Sequence, residues 1–132
     1  MKSILITLLI VFNLASSINN EENTFKLVVF EGSDWCSNCL KFEKNILQDP
    51  LVIDFLKEEK IQIIRVDFPQ RKKISQEQEK INKQYADKYQ FKGTFPTVIL
   101  SRADTQLFNE LSSSHLTPAE FITQVKRIQN KL

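Results

Sequence analysis

Residues 32–43 read GSDWCSNCLKFE and hold both cysteines of the chain, Cys36 and Cys39. Two cysteines at this spacing fit a structural staple, half of a metal site, or a pair that passes electrons to another disulfide. The elements on either side, the available partner residues and the compartment separate these readings.

Upstream, FKLVVF at 25–30 is a short, continuously apolar run of β-forming residues, as expected for a strand buried on both faces. Downstream the rhythm turns helical, with Leu40, Phe42, Ile46 and Leu47 as the apolar face. Asp49 and Pro50 supply an N-cap and a first helical residue, so the helix is interrupted there and continues through Val52, Ile53, Phe55 and Leu56. IQIIRV at 61–66 is a second buried strand. Ser75 followed by Gln78 resembles a capping box and opens a polar helix whose Ile81, Tyr85 and Tyr89 recur every four residues. TVIL at 97–100 reads as a strand, SRADT as a turn and QLFNEL as the hairpin partner. Thr117, Pro118 and Glu120 then start a helix whose stripe is Phe121, Ile122, Val125 and Ile128. The order βαβαββα, with a right-handed crossover, predicts an α/β domain: a mixed four-stranded sheet with helices on both faces.

The chain begins MKSILITLLIVFNLASSINN. Lys2, the apolar run from Ile4 to Ala15 and the small residues Ala15, Ser16 and Ser17 form the three regions of a secretory signal peptide. The run is shorter than the roughly 20 residues needed to span a bilayer, so no stable membrane insertion is expected. The expected organisation is a signal peptide at 1–17 and one domain at 18–132, placed in the periplasm or otherwise exported. A hydrophobic content of 42% suffices for one core, and a formal charge of +2 gives no reason to expect nucleic acid. The basic cluster Arg71, Lys72 and Lys73, followed by Glu77 and Glu79, reads as a solvated loop.

The cysteines therefore fall just beyond the first strand, at the start of the first helix. Amide groups and the helix dipole favour negative charge there, which stabilises a Cys36 thiolate, the form that attacks disulfides. Cys39, one turn further in, is the resolving sulfur, and Cys36 is expected to be the exposed attacking one. A structural disulfide would close only a four-residue loop and add little stability. Zinc takes three or four protein ligands, and His115 is the only histidine, so no metal is expected.

The apolar VVF, Trp35 directly before Cys36-Ser37-Asn38-Cys39, and TFPT at 94–97 together resemble the thioredoxin family over essentially the whole chain after the signal. Read with VDFPQRKK at 66–73, GSDWCSNCLKFE looks most like the exported bacterial branch of small thioredoxin-like proteins. The resemblance implies a thioredoxin-like fold and a cis peptide between Phe95 and Pro96. It also implies that Thr94, Phe95 and Pro96 hold an extended client segment by backbone hydrogen bonds beside the sulfurs. Trp35 is either core or a border of that client surface. Asp34 is expected to be a helix-entry residue and His115 an ordinary surface residue. Two positions depart from the family pattern: Ser37-Asn38 stands where thioredoxins proper have Gly-Pro, and Phe30 where they carry a buried acid. Glu31 should face the other side of the strand.

The expected activity is thiol–disulfide exchange by Cys36 and Cys39 as a protein-disulfide reductant, with no cofactor. The expected partners are disulfide-containing client proteins and a thiol electron donor in the membrane, with the chain itself monomeric. Oxidation or isomerisation of clients would use the same residues. A binding or chaperone-like module that keeps the groove without redox turnover is the alternative of a different class.

Overall fold

The structure, a computed structural model, describes residues 24–132; the expected signal peptide at 1–17 and the domain start at 18 lie outside the described residues. Strand β1 (Phe25–Glu31) is followed by helix α1 (Ser37–Phe42), which runs straight into a π-helical turn, Glu43–Leu47. Next come α2 (Pro50–Glu58), β2 (Ile61–Asp67), α3 (Gln76–Lys88), β3 (Thr97–Arg102), β4 (Phe108–Leu111) and α4 (Pro118–Gln129). The sheet order is β2-β1-β3-β4, with β1 parallel to β2 and antiparallel to β3, and β3 antiparallel to β4. This is the expected mixed four-stranded sheet.

β1 is central, and its unbroken apolar run follows from that position. Leu27, Val28, Val29 and Phe30 are all at most 1% exposed. Because side chains alternate across a strand, one run feeds two cores. Leu27 and Val29 join Phe42, Ile46, Val52 and Phe121 under α1, α2 and α4. Val28 and Phe30 join Val66, Tyr89 and Ile99 on the face that α3 covers. Phe121 is fully buried and meets Phe42 edge-on, with ring centroids 5.8 Å apart. Phe121→Ala is expected to lower the unfolding free energy by about 3–5 kcal/mol, read as a shifted urea midpoint at unchanged slope.

The helix boundaries follow local chemistry. Asp49 accepts the Leu51 amide at 2.9 Å ahead of Pro50, which restarts the interrupted helix as α2. Thr117 and Glu120 complete a reciprocal capping box at α4. At α3 only half of the expected box forms: Ser75 Oγ accepts the Gln78 amide, whereas the Gln78 side chain donates to Asn82 Oδ1 at 3.0 Å. Asn82, 2% exposed, is the buried polar residue of that helix and donates to the Asp67 carbonyl at 2.7 Å.

Two further expectations are corrected. Leu40 does not join the apolar face and is 54% exposed. In an uninterrupted α-helix, residues 40 and 47 would share a stripe. The wide turn closed by the Gln48 amide on the Glu43 carbonyl takes extra residues and shifts the buried positions to Cys39, Phe42, Ile46 and Leu47. The hairpin turn is also later than SRADT implies, since Ser101 and Arg102 stay in β3 and β4 begins at Phe108.

Candidate active site

The loop from Gly32 to Trp35 delivers the first cysteine, and its three polar side chains, Ser33, Asp34 and Trp35, all have partners. The Gly32 carbonyl accepts the amides of Trp35 and Cys36, which turns the chain from β1 into α1. Ser33 donates its amide and hydroxyl to the two carboxylate oxygens of Asp67, at 2.9 and 2.6 Å. The Trp35 indole N–H donates to the Phe68 carbonyl at 2.8 Å. A side chain on Gly32 would overlap that indole, which is why glycine stands there.

Asp34 corrects its expected role. The N-cap of α1 is Cys36 itself, and the Asp34 carboxylate instead accepts three successive amides across the loop, from Gln70, Arg71 and Lys72, at 2.8–2.9 Å. Those amides, with Gln70 the strongest, hold the Asp34 carboxyl below the usual carboxylate range despite some desolvation. The cysteine loop is thus fastened to the end of β2 and the segment after it by Ser33, Asp34 and Trp35 together.

Cys36 and Cys39 are joined by a disulfide across one helical turn, with Cα atoms 5.2 Å apart. The Cys39 amide points at Cys36 Sγ from 3.2 Å. Cys36 is 6% exposed and Cys39 3%, so the expected exposed Cys36 is corrected: in the disulfide each sulfur covers part of the other, and only a sliver of the pair meets solvent.

The Phe95–Pro96 peptide is cis. The Thr94 carbonyl accepts the Thr97 hydroxyl at 2.7 Å, and the Pro96 carbonyl accepts the Ser113 hydroxyl at 3.2 Å. Between this loop, α1 and the segment entering α4 lies a groove of about 470 Å³ whose lining includes Asn38, Lys41, Thr94, Phe95, Pro96 and His115. The structure therefore brings Thr94, Phe95 and Pro96 to one groove with α1, but not Trp35. Trp35 is half-buried and stands edge-on to Phe95 at 5.2 Å, supporting it from the other side. Phe95 rests in turn on Phe91 and Phe68.

Phe30, at the position where the family pattern has an acid, stacks on Phe91 at 4.4 Å. Glu31 lies on the opposite face and meets Arg65 at 3.4 Å, while Arg65 makes its closer contact with Glu43 on the π turn at 2.6 Å. Burial pushes the Glu31 carboxyl up, and the Arg65 charge pulls against it. Neither this Glu31–Arg65–Glu43 triad nor the placement of His115 in the groove was visible in the sequence. Both depend on strand pairing that sets distant residues side by side.

A disulfide at the entrance of a helix, with a cis-proline loop sharing a groove with that helix on a mixed four-stranded sheet, defines the thioredoxin-like class. The chain matches the thioredoxin-like domain family over residues 12–129 and belongs to it. It is 29% identical over 97 residues to the disulfide bond reductase DsbH of Chlamydia pneumoniae, a match covering 74% of this chain and 57% of that protein. The chain thus spans little more than half the length of that relative. Among solved structures, a DsbH oxidoreductase superimposes with a TM-score of 0.75 at 25% identity, over 83% of this chain and 75% of the other. A thioredoxin from Thermus thermophilus gives 0.53 at 21% identity, over 81% and 75% of the two chains, and shares the fold.

Proposed function

We propose that the chain is an exported thiol–disulfide oxidoreductase that reduces disulfides in partner proteins. The observation that carries this reading is the disulfide at the start of α1, with the Cys39 amide aimed at Cys36 Sγ beside an open groove. An N–H pointing at a sulfur favours its anionic form, and the thiolate is the attacking species. The name of the Chlamydia relative favours the reducing direction, and the N-terminal pattern of residues 1–17 favours export.

In the reduced protein, Cys36 thiolate attacks one sulfur of a client disulfide. The Cys36–client bond forms, the client S–S bond breaks, and the departing client sulfur leaves as a thiolate that takes up a proton. Cys39 then loses its proton and attacks Cys36 Sγ, which releases the second client sulfur and restores the Cys36–Cys39 disulfide. Two electrons pass to the client. A dithiol carrier must return them, and a membrane thiol protein suits an exported site that has no glutathione buffer. Thr94, Phe95 and Pro96 offer the wall along which the client segment lies, and Trp35 fixes the Phe95 ring.

Insulin reduction in the presence of dithiothreitol tests the reading. The protein should accelerate precipitation of the insulin chains well above dithiothreitol alone, and its reduction potential should lie near thioredoxin's, about −270 mV. Acceleration with a potential nearer about −120 mV would reassign the direction to oxidation. No acceleration would contradict exchange altogether.

A further inference from the structure

The groove beside Pro96 has a chemistry of its own. Its floor is apolar, with Phe42, Ile46 and Leu116, but its rim carries Lys41 from α1 and His115 from the segment before α4, and none of its lining residues is acidic. Lys41 has no carboxylate partner among the described residues, unlike Lys72, Lys83, Arg65 and Arg102, each of which is paired. The acids nearest along the two walls are engaged elsewhere, Glu43 with Arg65 and Glu120 with Thr117.

The backbone at His115 points the same way. Among the described residues, three non-glycine positions take positive φ: Lys60, Gln90 and His115. Lys60 and Gln90 each stand directly after a helix C-cap, Glu59 of α2 and Tyr89 of α3, where a left-handed residue ends the helix as a matter of course. His115, at φ 55°, ends no helix and stands two residues before the N-cap of α4. Left-handed backbone is uncommon at a residue with a side chain, and such residues collect at ligand-holding sites. Here it accompanies a side chain at the groove rim, on a segment tied to the proline loop by the Ser113 hydroxyl on the Pro96 carbonyl.

We propose that this groove selects client segments bearing a carboxylate close to the reacting cysteine, with the Lys41 ammonium and a His115 ring N–H as its readers. The inference rests on the exchange reading above and adds the substrate class to it. Asn38, between the two cysteines, lines the groove together with Lys41 one turn on, so the groove starts at the cysteine turn and a client segment leaving it along the groove passes this rim. An ammonium and an imidazole donor without an acid nearby favour Asp or Glu there and disfavour Lys or Arg.

The test uses two synthetic disulfide peptides, identical except for Asp-Asp or Lys-Lys beside one cysteine, reduced by the wild type, Lys41→Glu and Lys44→Glu. Lys44 is exposed on the same helical stretch but outside the groove lining, so it carries the same charge change without the proposed contact. The wild type should favour the acidic peptide by about five- to tenfold in kcat/KM at low salt, a preference that fades as salt is raised. Lys41→Glu should reverse the preference and Lys44→Glu should keep it. Equal rates for both peptides with the wild type would overturn the inference while leaving disulfide exchange standing. Reversal by Lys44→Glu to the same degree would also overturn it, leaving only general charge attraction. Failure to reduce either peptide would remove the exchange reading and this inference with it.

Discussion

Cys36→Ser is expected to reduce insulin no faster than dithiothreitol does by itself. The substitution removes the sulfur that combines the helix-entry position with an amide aimed at it. It should do so without unfolding the domain, because serine is among the best N-cap residues and its hydroxyl can accept the Cys39 amide in place of Sγ. Unchanged circular dichroism with lost turnover therefore isolates the chemistry from the fold. If the variant still bound partner proteins as the wild type does, and the wild type itself showed no turnover, the chain would be a binding module on a thioredoxin-like frame. Turnover that survived the substitution would contradict the assignment of Cys36 as nucleophile.

Cys39→Ser is expected to stop the reaction halfway. The first attack still forms the Cys36–client bond, but no second sulfur is within one turn to break it. The variant should consume one equivalent of client disulfide per chain and then stall as a covalent adduct, visible on a non-reducing gel and released by dithiothreitol. Cys39 is nearly buried, and a hydroxyl placed there without a partner costs about 1–3 kcal/mol. Cys39→Ala, which avoids that cost, should give the same adduct. Multiple turnovers by either variant would show that resolution comes from elsewhere.

Much of this was legible in the sequence because it is locally encoded. The continuous apolar run of β1 told of burial on both faces, and the caps at Asp49 and Thr117 are read from residues two or three positions apart. The position of the cysteines between strand and helix followed from those same elements. What was not legible depends on contacts between distant segments or on helix phase. The exposure of Leu40 depends on a π turn that no residue pattern in 40–47 announces. The Asp34 carboxylate found three amides more than thirty residues away, a bond set by the parallel pairing of β1 with β2. Trp35 is adjacent to Cys36 in sequence, yet turns from the groove because its indole N–H is claimed by the Phe68 carbonyl. His115 reaches the groove only because β4 pairs with β3 and its following segment bonds to Pro96.

The central claim is that Cys36 is ionised at neutral pH when the disulfide is open. Titrating the reduced protein, by thiolate ultraviolet absorbance with Cys39→Ala to isolate one sulfur, measures it directly. The expected midpoint lies clearly below the free cysteine value of about 8.5, in the range of about 3.5–7.5 seen for thiols at helix entrances. A Cys36 still protonated at pH about 8.5 or above would contradict the account.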